Sequence, residues 1–223
     1  MTKAIPKTTR KLGRPPKTAG PSSRDQILDA ALDLFSTCGY AATSVKQIAE
    51  RVGLRDSALY SHFASKAAIR SELFQIYGPN AVRLSWSTLN LGSGISDPKG
   101  FVKVALHQLA ERWMRPAERK FFRLLLMENL QSESAPLVHI GQMQEELRDR
   151  LSQIGGMLMA QGKLVKADPK WLAELFISPV LALRIDVAFR RDELDLAAVI
   201  SRLDQHVDNF FSVFKGPKPW QAA

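Results

Sequence analysis

At 223 residues the chain is long enough to bury a sizeable core as one or two domains. Apolar residues make up 45% and charged residues 24%, the balance of a soluble globular protein, and no apolar run approaches the roughly 18–20 residues of a membrane span. The early positive charges have no apolar stretch behind them, which argues against a secretory signal, and the single cysteine excludes an internal disulfide and fits a reducing cytoplasm.

Seven of the nine net positive charges fall in Met1–Arg24, on Lys3, Lys7, Arg10, Lys11, Arg14, Lys17 and Arg24, with no acidic residue among them. Four prolines and almost no large apolar side chain accompany them, so residues 1–20 read as a disordered basic arm. Within it, Lys11-Leu12-Gly13-Arg14-Pro15-Pro16-Lys17 resembles the Gly-Arg-Pro core of AT-hook minor-groove binders, with Arg14 as the groove residue. The plainer reading is a solubilising tail.

Ser22 or Ser23 caps a first helix that runs to about Cys38 on the spacing of Ile27, Ala30, Ala31, Leu34 and Phe35. Asp25 and Asp29 suit the positive end of its dipole, and Cys38, with no partner base in view, reads as a packing residue. Ser44–Phe63 then reads as two short helices with a tight joint. Ser44 and Gln47 form a capping-box pattern, Ile48, Ala49 and Val52 give the first of these helices one apolar side, and Gly53 permits the turn. Leu54 plugs the angle. Ala58, Leu59 and Phe63 are available for packing, which leaves Ser57, Ser61 and His62 outside. Two helices so joined form a helix-turn-helix, whose second helix enters the DNA major groove.

Ser65 caps a fourth helix carrying Ile69, Leu73 and Ile76, which Gly78-Pro79 interrupts and which resumes through Leu84 and Trp86. Leu91–Gly100 reads as a loop. Asp97-Pro98 and Asp168-Pro169 each set a capping aspartate before a proline at the first helical position. Helices are expected over Pro98–Met114, Pro116–Gln131, Pro136–Gln161, Pro169–Arg190 and Leu194–Lys215, with 216–223 a loose tail. No alternating run bounded by hairpin signals stands out, so the fold is read as all-α.

Catalytic patterns are missing. His62, His107, His139 and His206 are far apart, with no HExxH, no zinc spacing and no glycine-rich phosphate loop. Glu145-Glu146 and Asp192-Glu193 suit solvated helix faces. The expectation is a non-enzyme without cofactor or metal.

Ile27, Ala30, Ala31, Leu34, Phe35, Gly39-Tyr40, Thr43, Ile48-Ala49, Gly53, Leu59-Tyr60, His62-Phe63 and Ser65-Lys66 together resemble the DNA-binding domain of the TetR family of transcriptional regulators, over about Pro21 to Ala81. Beyond that stretch the match is only in helical layout. The resemblance implies a DNA-binding domain over 21–81, with the helix-turn-helix at 44–63, and a helical ligand-binding and dimerisation domain over 82–215. It implies phosphate contacts for Tyr60, His62 and Lys66. Lys46, Asp56, Ser57, Ala58 and Ser61 fall at positions facing bases or the groove wall, and Lys46 and Arg55 are the long cationic donors. A carboxylate at Asp56 departs from the family pattern.

Residues 169–190 are apolar on two sides, which requires cover from the chain's own core and from a partner. With the resemblance, this implies a homodimer through the last two helices, with Leu183, Val187, Leu203, Val207, Phe210 and Phe211 at the interface and a near-palindromic operator in double-stranded DNA. The middle helices are expected to enclose an effector pocket lined by Trp86, His107, Trp113, Phe122, Leu126, Met143, Met157 and Phe176. Leu106, Leu109, Leu125, Met127 and Leu147 are further candidates, and His107, Asn129, His139 and Arg184 would orient polar ends. Any of these suits an ordinary core equally well. The function expected is a cytoplasmic, nucleoid-associated regulator, a repressor released from its operator by a small, mostly apolar effector. The alternative is a DNA-bound architectural or adaptor protein that recruits a protein partner.

Overall fold

The structure is a computed structural model and describes residues 22–78, 97–130, 140–190 and 195–217. The basic arm with Arg14, the segment with Leu84 and Trp86, and His139 lie outside these residues. Among the described residues the helices are α1 (Ser23–Cys38), α2 (Val45–Arg51), α3 (Asp56–Tyr60), α4 (Lys66–Tyr77), α5 (Pro98–Met114), α6 (Pro116–Leu130), α7 (Ile140–Ala160), α8 (Pro169–Phe189) and α9 (Leu196–Val213). The sole β pairing among them is an isolated bridge between Leu164 and Lys215.

Helix starts follow local chemistry. Ser22 and Asp25 form a reciprocal capping box on α1, and Ser44 and Gln47 do the same on α2. The Ser65 side chain accepts from Ala68 N on α4. Asp97 and Asp168 cap α5 and α8 ahead of their first-turn prolines. Pro98–Gly100, expected in the loop at Leu91–Gly100, belong to α5, and residues 91–96 lie outside the described residues. Two other expectations fail. Cys38 is exposed at the end of α1 rather than packed. The tail is not loose at its start: Gly216 N donates to Lys163 O at 2.9 Å and Val165 N to Phe214 O at 3.1 Å, which ties the end of α9 to the α7–α8 link.

Two clusters of buried side chains organise the molecule. The first joins α1, α2, α3 and α4 through Ile27, Ala31, Phe35, Ile48, Leu59, Phe63, Ile69 and Leu73, and it includes Phe121, Leu124 and Leu125 of α6. The second joins α5, α7, α8 and α9. Helix α6 thus belongs by sequence to the C-terminal part and by packing to the N-terminal core. Phe121 fits edge-on against Phe74 and lies beside Tyr77, and on another side of α6 Arg123 donates to Ala188 O at 2.7 Å.

Candidate nucleic-acid interface and ligand cavity

The joint between α2 and α3 is built by backbone geometry. Gly53 takes φ +67°, a left-handed value at which an L side chain is strained, and Leu54 N donates to Ala49 O at 2.9 Å. Leu54 is half-buried against the core and sets the angle. Leu59 and Phe63 are fully buried, which holds one side of α3 inward. The side turned to solvent carries Arg55, Asp56, Ser57, Tyr60, Ser61 and His62, with Ala58 half-buried. Tyr60 is 53% exposed, unusually open for a tyrosine on a folded surface. Lys46 is exposed on α2, within 3.9 Å of Glu50. Asp56 occupies the first turn of α3, where a carboxylate is favoured by the helix dipole and where Arg55 makes no side-chain cap. That is a local reason for an acid at this position.

Lys66 is placed differently from the expectation. Its ammonium donates to Tyr40 O at 2.8 Å and Thr43 O at 2.6 Å, stands 3.4 Å from Ala41 O, and lies 4.4 Å from the Tyr40 ring centroid. An ammonium has three hydrogens, and these are aimed at the α1–α2 turn. Burial, with Arg70 adding to it, holds its pKa below the usual lysine range. The phosphate contact expected of Lys66 is therefore replaced by a clamp on backbone carbonyls.

Arg24 reads in the sequence only as one of the seven positive charges of Met1–Arg24. Here its guanidinium pairs with Glu72 of α4, donates to His62 O at 2.9 Å and lies 4.2 Å from the Phe63 ring centroid, so it fixes the end of the recognition helix. Asp33 of α1 bridges Arg51 of α2 and Lys120 of α6. The Lys120 hydrogen bond, with Arg51 beside it, holds the Asp33 carboxyl below the ordinary carboxylate range. A shallow groove of ≈ 530 Å³ surrounds this bridge, lined by Gln26, Asp29, Arg51 and Lys120 together with the apolar Leu32, Val52, Pro116 and Ala117. Arg70 of α4 stands 3.6 Å from Glu128 of α6, both largely buried.

A second, mostly apolar cavity of ≈ 230 Å³ lies on the other side of α6. Its walls are Tyr77 and Gly78 from the end of α4, Leu109, Arg112 and Trp113 from α5, Glu118, Phe121, Phe122 and Leu125 from α6, Met143, Gln144, Glu146, Leu147 and Arg150 from α7, and Leu181 and Arg184 from α8. Trp113, Phe122 and Met143 stand in this wall, with Leu109, Leu125, Leu147 and Arg184. The other candidates among the described residues do not. His107 Nε2 is 2.8 Å from Asp204 Oδ1, across α5 and α9. Phe176 packs on His206 and Phe210, Met157 is exposed, and Leu126 lies one residue round α6 from the lining residue Leu125. Asn129 bonds Leu125 O and accepts from Ile140 N at the start of α7.

The charged lining residues Arg112 and Glu118 were not anticipated. Glu118 is only 6% exposed and accepts from Arg112 Nε. One signal was present: Glu118 stands three, four and seven residues before Phe121, Phe122 and Leu125, on the inward side of α6. The Arg184 guanidinium lies 5.1 Å and 4.6 Å from the Trp113 and Phe122 ring centroids. Burial pushes its pKa down to about 10, with Glu118 opposing the shift and Arg112 adding to it.

The expected dimer residues need correction. Leu183, Val187, Leu203, Val207 and Phe211 are 7% exposed or less and fill the chain's own second core. Phe210 is half-buried against Phe176 and Phe214. The side of α8 left uncovered is Trp171, Leu175, Pro179, Ala182, Ile185 and Phe189, a stripe at steps of three and four residues. Among the described residues no group of three or more His, Cys, Asp or Glu is placed to hold a metal, and no helix is long and apolar enough to cross a membrane.

A short exposed helix, held at a set angle by a capped partner helix and a glycine turn, on a helical body, defines a helix-turn-helix DNA-binding protein. Residues 27–73 match the profile of bacterial regulatory proteins of the tetR family. The chain is 36% identical over 69 residues to the HTH-type transcriptional regulator AcrR of Shigella flexneri, covering 31% of this chain and 32% of that protein. It is 27% identical over 124 residues to the icaADBC biofilm-operon negative transcriptional regulator IcaR of Staphylococcus aureus, covering 55% and 62%. The chain thus spans less than two thirds of the length of these relatives. Its fold matches a TetR-like regulator from Rhodococcus sp. RHA1 (TM-score 0.60, 24% identity, 86% and 98% of the two chains). It also matches NalD, the secondary repressor of the MexAB-OprM multidrug efflux pump in Pseudomonas aeruginosa (TM-score 0.59, 19% identity, 87% and 98%). At such identities the shared fold is what these two matches establish. Residues 27–73 thus carry a DNA-binding domain of the type found in bacterial tetR-family regulators.

Proposed function

We propose that the chain is a transcriptional repressor that binds a near-palindromic operator as a homodimer and leaves it when a small, mostly apolar effector fills the cavity behind α6. The observation that carries this reading is the double membership of α6, one side in the core of the DNA-binding domain and another in the cavity wall. A ligand that changes how α6 packs changes the support of α1 and α4. Lys46, Arg55, Asp56, Ser57, Ala58, Tyr60, Ser61 and His62 form the DNA-facing set, with the long cationic donors best suited to guanine edges or phosphates. The uncovered stripe of α8 is the dimer face, since an apolar side of this length is not left in water. That IcaR is a negative regulator and NalD a repressor favours repression over activation.

Release works by differential affinity. A ~100-fold loss of operator affinity needs roughly 2.7 kcal/mol of coupling per dimer, and operator DNA must weaken ligand binding by the same factor. The test is to recover genomic fragments bound by the full-length protein, define the site, and titrate apolar compounds against that complex. Compounds that bind the C-terminal domain and never alter operator affinity would overturn release and favour recruitment of a protein partner.

A further inference from the structure

The cavity holds a charge arrangement that a purely apolar ligand leaves unused. Two guanidiniums, Arg112 and Arg184, share one carboxylate, Glu118. The carboxylate is committed to Arg112, which also reaches Tyr77 O at 3.3 Å. Arg184 is left with Glu118 Oε2 at 3.9 Å, beyond hydrogen-bond range, although its side chain is only 11% exposed. Among the described residues it donates no hydrogen bond. A guanidinium carries five donors, and those of Arg184 line the cavity without a protein acceptor in hydrogen-bond range among the described residues, so an acceptor on a ligand is favoured over an apolar group there. The other ionised lining residues, Glu146 and Arg150, are both exposed and opposite in sign, so they leave the excess positive charge in place.

Resting on the effector reading of this cavity, we propose that it binds an amphipathic carboxylate, with the acidic head accepting from Arg184 and an aliphatic or aromatic body lying along Leu109, Leu125, Met143 and Leu147. Planar, two-pronged donation suits a carboxylate. A neutral head leaves the Arg184 donors poorly met, and a cationic head sets a like charge beside two guanidiniums. The volume of ≈ 230 Å³ is below the roughly 300–1,000 Å³ of pockets for drug-sized ligands, which favours a short body.

The test is calorimetric titration of the full-length protein at neutral pH with octanoate, octanol and octyltrimethylammonium, three bodies of one length with different heads. Octanoate is expected to bind about tenfold or more tighter than octanol, and the cation more weakly than either. In Arg184→Gln the octanoate-to-octanol ratio should fall to about one, and Arg184→Lys should keep part of it. The ratio is taken within one protein, so a general loss of stability does not imitate the effect. If Arg184→Gln does not fold, the wild-type ratio decides. Equal binding of octanoate and octanol, tighter binding of the cation, or an unchanged ratio in Arg184→Gln overturns the proposal. Operator affinity at saturating octanoate is read separately. Octanoate that binds in the expected order and leaves operator affinity unchanged upholds the anion site and overturns the effector reading. Octanol that binds and releases DNA as well as octanoate does the reverse.

Discussion

Lys66→Met removes an ammonium and keeps the aliphatic stem. In the folded protein that ammonium makes two short hydrogen bonds, to Tyr40 O at 2.8 Å and Thr43 O at 2.6 Å, and packs 4.4 Å from the Tyr40 ring centroid. Hydrogen bonds to a charged group contribute about 1.5–3 kcal/mol each and an exposed cation–π contact about 0.5–1. The third carbonyl, Ala41 O at 3.4 Å, adds little. Desolvation of the half-buried ammonium offsets part of the gain, so the net loss should be about 2–4 kcal/mol. For a chain of this size that lowers Tm by roughly 5–15 °C. Urea denaturation should show a lower midpoint at unchanged slope. Operator binding, measured well below the new Tm across a salt series, should keep the wild-type slope, because no phosphate contact is lost. A variant with wild-type stability and a salt slope shallower by about one would refute the clamp and return Lys66 to the phosphate backbone.

Three other outcomes follow from the packing. Leu124 is fully buried where α6 enters the first core, so Leu124→Ala should lose about 2.7–5 kcal/mol by denaturant titration, and a loss under 1 kcal/mol would contradict that placement. Ile185→Arg puts a charge in the middle of the uncovered α8 stripe and should turn a homodimer into a species of 24.9 kDa in sedimentation at micromolar concentration, whereas a wild-type chain that already sediments at that mass removes the dimer. Asp33 has its carboxyl pKa lowered from 3.8, so the stability it contributes is fully present above pH 3.8 and is lost as the pH falls through the folded-state value. The difference in urea midpoint between wild type and Asp33→Asn should therefore be level near neutrality and close below pH 3.8, and a gap that stays open in stronger acid would exclude the Lys120 and Arg51 pairs as its source.

Whatever depends on neighbours three or four residues away was legible in the chain itself. A serine cap at the start of α1, the capping box of Ser44 with Gln47, the aspartate–proline starts of α5 and α8, and the glycine turn at Gly53 all appear where residue type and spacing put them, while the structure chose Ser22 over Ser23 and added the reciprocal bond with Asp25. These are local hydrogen bonds and backbone preferences, and they need no tertiary contact. Periodicity likewise marked the apolar sides of α1, α2 and α4, because each of these helices has one such side to bury, although Ile76, expected on that side of α4, is exposed. That was enough for the helix-turn-helix and for an all-α architecture.

Tertiary structure decided the rest, where two local answers were equally good or where a partner lay far along the chain. Helix α8 is apolar on two sides, and only packing against α5, α7 and α9 showed that Leu183 and Val187 face inward while Leu175 and Ile185 stay exposed. Lys66 meets carbonyls 23 to 26 residues away, and Arg24 meets Glu72 across 48 residues. Glu118 and Arg184 are ordinary charged residues in their own helices, and they become a buried pair beside a cavity only when α6 and α8 are brought together. Hydrophobic spacing sets which residues leave water, whereas the direction in which a long charged side chain turns depends on what the fold has placed within a few ångströms of it.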